Sequence, residues 1–334
     1  MRRAALALCL TLAGCMSTKA SIRTSDPFRD GLLYGEVMAI SYSGFRDGQH
    51  PDRGDGAIDP SREQILEDLR ILDAHDFHLI RVYDSRGNTR DTLELIREHD
   101  LPIRVLLGVW LSAEFSNHEG CSWLLEPISE EDLAANVVAN EAEVGRAIGL
   151  ANEFDDLVVA VSVGNEVLVN WSDHMVPVDR VLGFVRQVQD AIEQPVTVAD
   201  NDLWWAKDGA VVAAQVDFLG VHSYPVWEGA AIEDGMRLTR ERVESVRRAH
   251  PGKPMCILEA GWATVASEFG DRAGEAQQVR YFTEMKAWGE ATKTTIFFFE
   301  AFDEPWKGNP GNPLGAEKHW GVFDVHRQPK AVMR

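Results

Sequence analysis

Eight short β-rich runs, alternating with longer helical patterns, constrain the fold of this chain more than any other feature. They fall at residues 35–41, 78–83, 103–109, 157–164, 196–200, 217–222, 255–258 and 295–299. Helical periodicity occupies 61–75, 89–99, 130–152, 177–193, 236–250 and 275–289. Ser61 three residues before Gln64, and Ser129 three before Asp132, place a capping hydroxyl at two of the predicted helix starts. Regular β–α alternation implies a parallel sheet. Eight such units in about 300 residues fit a closed (β/α)8 (TIM) barrel better than an open doubly wound sheet. The predicted fold is therefore α/β, with one barrel domain over residues 31–334 and only a reduced helix after the last strand. No GxGxxG or Walker loop follows any strand, which speaks against a nucleotide site.

Composition narrows the partners. The 334 residues carry a formal charge of −20, which disfavours nucleic acid and anionic substrates and leaves neutral ones. The first residues read as a targeting segment. Arg2 and Arg3 precede an apolar stretch at 4–12 that is too short to span a bilayer. It ends in Leu12-Ala13-Gly14-Cys15, which resembles the bacterial lipobox. The expectation is a signal peptide over 1–14, a lipidated Cys15, and a polar, flexible tether over 15–30. The alternative is an ordinary secretory signal with a chance cysteine. Membrane association is then through lipid alone, in a bacterial cell envelope. The outer membrane is favoured, because Met16 is not the Asp that retains some lipoproteins at the inner one. Of the four cysteines, Cys121 and Cys256 remain for the fold. They are expected as free, partly buried thiols, with pairing in an oxidising envelope the alternative.

Chemistry in such a barrel sits where strands end at their C-terminal side. Those ends read Arg81-Val82-Tyr83-Asp84, Gly108-Val109-Trp110, Gly164-Asn165-Glu166, His222-Ser223-Tyr224, Leu258-Glu259-Ala260-Gly261-Trp262 and Phe299-Glu300-Ala301-Phe302-Asp303-Glu304. Carboxylates and aromatics gather on one rim. Glycosidic cleavage needs two carboxyls flanking the bond, one to protonate the leaving oxygen and one to attack the anomeric carbon. Aromatic rings offer flat faces on which a pyranose stacks. Glu166 and Glu259 each follow an apolar run directly and lie three βα units apart, so barrel closure alone brings them together. An ion pair with Arg81 or Lys253 is the plainer account of either glutamate taken singly; the two together favour catalysis. Trp110, Trp204, Trp205, Trp227, Trp262 and Trp306 fall after strands or at their ends, and about half are expected as sugar platforms. His222 is expected as a structural hydrogen-bonding residue. No HxH or HExxH spacing is present, so neither metal nor cofactor is expected.

From Ala39-Ile40-Ser41-Tyr42-Ser43-Gly44 to Trp320-Gly321-Val322-Phe323-Asp324, the chain resembles glycoside hydrolase family 17, the β-1,3-glucanase family among the retaining barrel glycosidases. The specific stretches are Val163-Gly164-Asn165-Glu166-Val167, Glu259-Ala260-Gly261-Trp262 and the run from Phe299 to Lys307. The resemblance implies that Glu166 is the acid/base and Glu259 the nucleophile. It implies that Asn165 bonds the sugar 2-hydroxyl, and that Glu304, Lys307 and Glu317 form a charged cluster keeping Glu259 ionised and Glu166 protonated. Tyr224 matches a tyrosine near the nucleophile; Tyr42 and Tyr83 match aromatics lining the cleft. Trp110 and Trp262 join them here as candidate sugar contacts. Ala260 departs from the family's frequent Ser.

The activity expected is hydrolysis of a neutral β-1,3-glucan, probed with laminarin, by a monomeric enzyme that is endo-acting. A β-glucan transglycosylase with the same site and a non-catalytic glycan-binding lipoprotein stand as alternatives. Of these expectations, the anchor is tested most directly. Cys15→Ser should release the protein from the membrane fraction or stall its processing. Unchanged detergent partitioning and processing would exclude lipidation.

Overall fold

The computed structural model describes residues 38–52 and 56–334. The expected signal, Cys15, the tether and positions 35–37 of the first predicted strand lie outside the described residues. Eight parallel strands close into a barrel in chain order: β1 (Met38–Ser41), β2 (Leu79–Arg81), β3 (Arg104–Val109), β4 (Val158–Asn165), β5 (Val196–Asn201), β6 (Leu219–His222), β7 (Met255–Ala260) and β8 (Ile296–Phe298). β8 returns to pair with β1 through Met38–Ile296 and Ile40–Phe298. Helices on the outside are α1 (Arg62–Ala74), α2 (Gly87–Glu98), α3 (Glu130–Glu153), α4 (Val178–Ala191), the short α5 (Asp202–Lys207) and α6 (Ala210–Ala213), then α7 (Ile232–Ala249) and α8 (Glu275–Thr292). The α/β barrel expected from the alternation is the fold observed.

Local signals account for several boundaries. At the start of α1, Ser61 Oγ accepts from the Gln64 amide at 3.3 Å, while Gln64 Oε1 accepts from the Ser61 amide at 2.9 Å. This reciprocal cap satisfies two amides that lack helical partners. Ser129 Oγ accepts from the Asp132 amide at 3.1 Å at the start of α3. The two short helices between β5 and β6 were not expected. They place Trp204 and Trp205 on helix rather than loop, and Trp205 is fully buried with its Nε1 donating to Gly220 O at 2.8 Å.

Two apolar layers form the core. Inside the barrel, small residues (Ala39, Ala160, Ala199) alternate with large ones (Leu106, Phe218, Leu258, Phe297), filling it as a packed interior. A second layer lies between strands and helices, with Ile40, Val105, Val161 and Ile257 facing α-helical residues such as Leu69, Ile96, Val144 and Val185. Cys121 and Cys256 are free and buried, more deeply than expected, and burial pushes the Cys256 thiol upward. No helix among the described residues is long and apolar enough to cross a membrane.

The segment after β8 carries two 3-10 turns, Ala316–Lys318 and Ala331–Met333, where a reduced helix was expected. Buried ion pairs hold this tail down. Arg327 donates to both oxygens of Asp68 on α1 at 2.8 Å, and to Gly44 O at 3.0 Å, with Asp68 and Arg327 0% and 5% exposed. Arg46 supports the same carboxylate at 2.8 Å. Removing one partner leaves a buried charge undercompensated. Arg327→Met, which keeps much of the apolar stem, should therefore cost about 3 kcal/mol. Urea denaturation is expected to show a lower midpoint with an unchanged slope; an unchanged midpoint would show that Arg46 suffices.

Candidate active site

The polar mouth of the barrel is built by strand ends that depart from regular pairing. Along β7, Cys256 and Leu258 point into the barrel and Ile257 and Ala260 outward. The pairing of β6 with β7 steps from Val221–Ile257 to His222–Glu259, and that of β7 with β8 from Ile257–Ile296 to Ala260–Phe298. This irregularity turns Glu259 into the mouth. The residue lies within the strand, not after it as expected. Its own carbonyl accepts from the Ser223 amide at 3.0 Å, which extends the ladder past Leu258. On β4, Gly164 has φ +84°, and a Cβ there would sit 2.8 Å from Val167 Cγ2. Glu166 follows at φ +51°, held by its amide to Ala199 O at 2.9 Å.

Glu259 is 6% exposed and surrounded by donors. Oε1 accepts from Arg81 Nη1 at 2.7 Å and Tyr83 hydroxyl at 3.0 Å; Oε2 accepts from Tyr224 hydroxyl at 2.8 Å. Burial pulls its pKa upward, but the His222 imidazole, the Arg81 guanidinium and these hydrogen bonds outweigh burial and hold it below the usual carboxylate range. Burial, reinforced by the Glu259 charge, pushes Tyr83 and Tyr224 well above the ordinary phenol value, so both remain donors. Arg81 also gives Nη2 to Asn165 Oδ1 at 2.6 Å. That contact takes up the carboxamide oxygen and leaves the Asn165 NH2 as its donor group.

Glu166 is the more open carboxylate, with 28% side-chain exposure and His222 Nδ1 2.9 Å from Oε1. His222 Nε2 lies 3.4 Å from Arg81 Nη1 and 3.6 Å from Glu259 Oε1, so one imidazole bridges the two glutamates. Oxygens of Glu166 and Glu259 come within 4.8 Å of each other. Among the described residues these two and His222 form a group with metal-ligand spacing. Arg81 Nη1 already supplies a cation to Glu259 Oε1, so the set is better matched to proton chemistry than to a metal.

The remaining expected residues divide. Lys307 pairs with Glu300 Oε2 at 2.5 Å and Glu304 Oε2 at 2.6 Å, so the contact that holds Glu259 ionised is made by Arg81 instead. Glu317 lies near Lys307, Glu166 and Glu259, and burial pushes its pKa up to about 7. Trp110 is half-buried and stacks on His174, centroids 4.6 Å apart, and His174 Nε2 contacts Asn165 O at 2.8 Å. Tyr42 is only 3% exposed with its hydroxyl 3.5 Å from Asp68; it forms an inner wall beside Tyr83. Trp262 is corrected. It is fully buried, packs against Tyr281, and donates Nε1 to Arg272 O at 2.7 Å, because Gly261 passes so close to Phe299 O that the strand end is sealed. Trp262 and Trp205 are core residues, whereas Trp227 is 46% exposed. Arg81 and His222, expected as an ion-pair partner and a structural group, stand between the two glutamates, and a charged or polar residue at an apolar strand end is the sequence signal for both. Lys253 precedes β7, at the other end of that strand from Glu259.

A family model of the BtgE/BtgC glycoside hydrolase domain matches residues 39–321. The chain is similar to a glucan 1,3-beta-glucosidase of Arthroderma benhamiae, 29% identical over 307 residues and covering 85% of each protein. It is also similar to the crystal structure of an endo-laminarinase from Formosa Hel1_33_131, with TM-score 0.75 and 26% identity over 91% of this chain and 87% of that one. A glycoside hydrolase family 17 beta-1,3-glucanosyltransferase from Rhizomucor miehei shares the fold, with TM-score 0.68 and 21% identity over 89% and 96% of the two chains.

The elevated Glu317 pKa has a consequence for stability. The folded protein holds this proton more tightly than the unfolded chain. The stabilisation it contributes is complete below the unfolded value of about 4.3 and is lost as pH rises through about 7. Glu317→Gln cannot ionise. Its Tm is expected to differ from that of the parent by a constant amount near pH 4, then to gain on it as pH rises toward 8. A gap that moves the other way would show that Glu317 is held ionised.

Proposed function

Because the chain belongs to the BtgE/BtgC glycoside hydrolase domain family, we propose that it is a retaining β-1,3-glucanase in which Glu259 is the nucleophile and Glu166 the acid/base. The observation carrying this reading is the pair of carboxylates with facing oxygens within 4.8 Å, one anchored by Arg81 and two tyrosines, the other open and facing an imidazole. Retaining enzymes hold their two carboxyls about 5–5.5 Å apart, whereas inverting ones leave room for a water at about 6.5–9.5 Å. The similarity to a laminarinase and to a glucan 1,3-beta-glucosidase supports β-1,3-glucan as the substrate and hydrolysis as the outcome.

Glu259 attacks the anomeric carbon as the glycosidic C–O bond breaks, and Glu166 gives its proton to the departing oxygen. His222 Nδ1 holds Glu166 Oε1 in line for that transfer. The glycosyl–enzyme ester is then hydrolysed when Glu166, now a carboxylate, takes a proton from the incoming water. Arg81, Tyr83 and Tyr224 stabilise Glu259 as it leaves as a carboxylate. The Asn165 NH2, its carboxamide oxygen taken up by Arg81, donates to the sugar 2-hydroxyl in this reading. Trp110, half-buried and stacked on His174, supplies an aromatic platform for the sugar. A lipid at Cys15 would confine this activity to a bacterial envelope surface; the Leu12-Ala13-Gly14-Cys15 sequence supports that placement.

Chemical rescue separates the two roles. Glu259→Ala should lower turnover of laminarin roughly a thousandfold or more. Azide should then attack an activated β-glycoside directly, giving the α-glycosyl azide. Glu166→Ala spares the first step for good leaving groups but lacks the base for the second, and azide should give the β-product through two inversions. The reverse pairing of products would exchange the assignments. In the parent enzyme, products longer than the starting laminari-oligosaccharide would show that sugar, not water, is the main acceptor.

A further inference from the structure

Next to this site lies a buried cation flanked by two carboxylates that the reaction above does not use. Glu300 and Glu304 are 1% and 0% exposed, and both contact Lys307 Nζ through Oε2. With all three ionised, the cluster holds one uncompensated negative charge out of contact with water. Such a charge is removed by proton uptake rather than tolerated. The two carboxyls are not equivalent hosts for that proton. Glu304 Oε1 accepts from Trp306 Nε1 at 2.9 Å, and Arg327 lies near enough to feel its charge. Donors and cations of this kind favour the ionised form. Glu300 has Lys307 alone, and its Oε1 is buried without accepting any hydrogen bond; Glu304 Oε2 also lacks a donor in hydrogen-bonding geometry but lies 2.6 Å from Lys307 Nζ. An oxygen with no donor nearby is better satisfied as a hydroxyl, and the Glu304 carboxylate is held beside Glu300 by the Lys307 Nζ that both contact.

We propose that Glu300 is a neutral carboxylic acid in the working enzyme and donates its proton to Glu304, so that Glu304 and Lys307 form a balanced ion pair behind Tyr83. The charged and titratable groups around the cluster are Tyr83 at the end of β2, and Glu317 and Arg327 in the segment after β8. Burial pushes the Glu300 carboxyl well above the usual range; Lys307 opposes this and Glu304 adds to it. Lys307 stays charged, since the surrounding acids outweigh its own burial. Glu300 is thus a positioning residue, acting on Lys307 and Glu304 and not on the sugar. Its proton keeps an extra negative charge away from the Glu259 surroundings, where it would draw protons onto the site.

The kinetic arm of the test rests on the glucanase reading; the spectroscopic arms do not. Infrared difference spectra of the intact protein against Glu300→Gln at neutral pH should show the loss of one protonated-carboxyl C=O band. Both limbs of the kcat/KM pH profile on laminarin should stay in place in this variant, because no charge has been removed. Glu300→Ala deletes the donor to Glu304 and should lower kcat/KM about tenfold, with Gln at the same position restoring it. An unchanged infrared spectrum, or limbs displaced to lower pH by roughly half a unit or more, means that Glu300 was ionised and overturns the proposal. Neutron diffraction from deuterium-exchanged parent crystals needs no variant. Deuterium on Glu300 Oε1 is expected; deuterium on Glu304, or on neither, overturns it. A parent enzyme inert on laminarin and laminari-oligosaccharides would remove the glucanase reading and leave the infrared and neutron outcomes standing.

Discussion

Arg81 is a guanidinium with 1% exposure in the mouth of a barrel whose interior is otherwise largely apolar. Leaving such a charge unpaired would cost several kcal/mol, and its partners come from across the ring. Nη1 reaches Glu259 Oε1 and Leu258 O on β7, and Nη2 reaches Asn165 at the end of β4. One side chain from β2 therefore ties the two strands that carry the carboxylate pair, at separations only a closed barrel of this strand order provides. The ion pair also settles protonation. Glu259 is buried enough that it would otherwise hold its proton, and His222 together with Arg81 reverses that preference.

Around this contact the site is strongly acidic, and its carboxyls do not behave alike. Burial pushes Asp84 up to about 6, and lifts Asp200 well above the usual range, with Glu166 adding to the latter effect. Asp200 nonetheless holds the chain beyond Glu166, accepting from the Leu168 amide at 3.1 Å. A net charge of −20 thus reflects more than solubility. Part of it is concentrated in a rim where cations are few, and each buried cation selects which neighbouring acid is ionised. Arg81, together with His222, does so for Glu259.

The aromatic residues sort by backbone approach rather than by chemistry. Trp262, Trp205 and Trp320 follow strands as Trp110 and Trp227 do, yet the first three are sealed in the core. Trp320 is covered by Tyr224, Phe299 and Trp227, forming the wall behind the Glu259 donors. Trp110 remains half-open because its partner, His174, is itself a loop residue.

Local chemistry in the sequence determined the elements. Alternating apolar runs, the Ser61–Gln64 cap and the β–α rhythm depend on neighbours within a few residues, and they specified an eight-stranded barrel with Glu166 and Glu259 at its rim. The missed pair α5 and α6 is short enough that tertiary packing of Trp205, not helix periodicity, defines it. What the tertiary structure alone decided is long-range. It includes the register slip that turns Glu259 inward from within β7, the bridge made by His222, the choice of Arg81 over Lys307 as the partner of Glu259, and the burial of Trp262. Each depends on which groups meet across the barrel once water is excluded, where charge pairing and close approach outweigh any preference encoded along the chain.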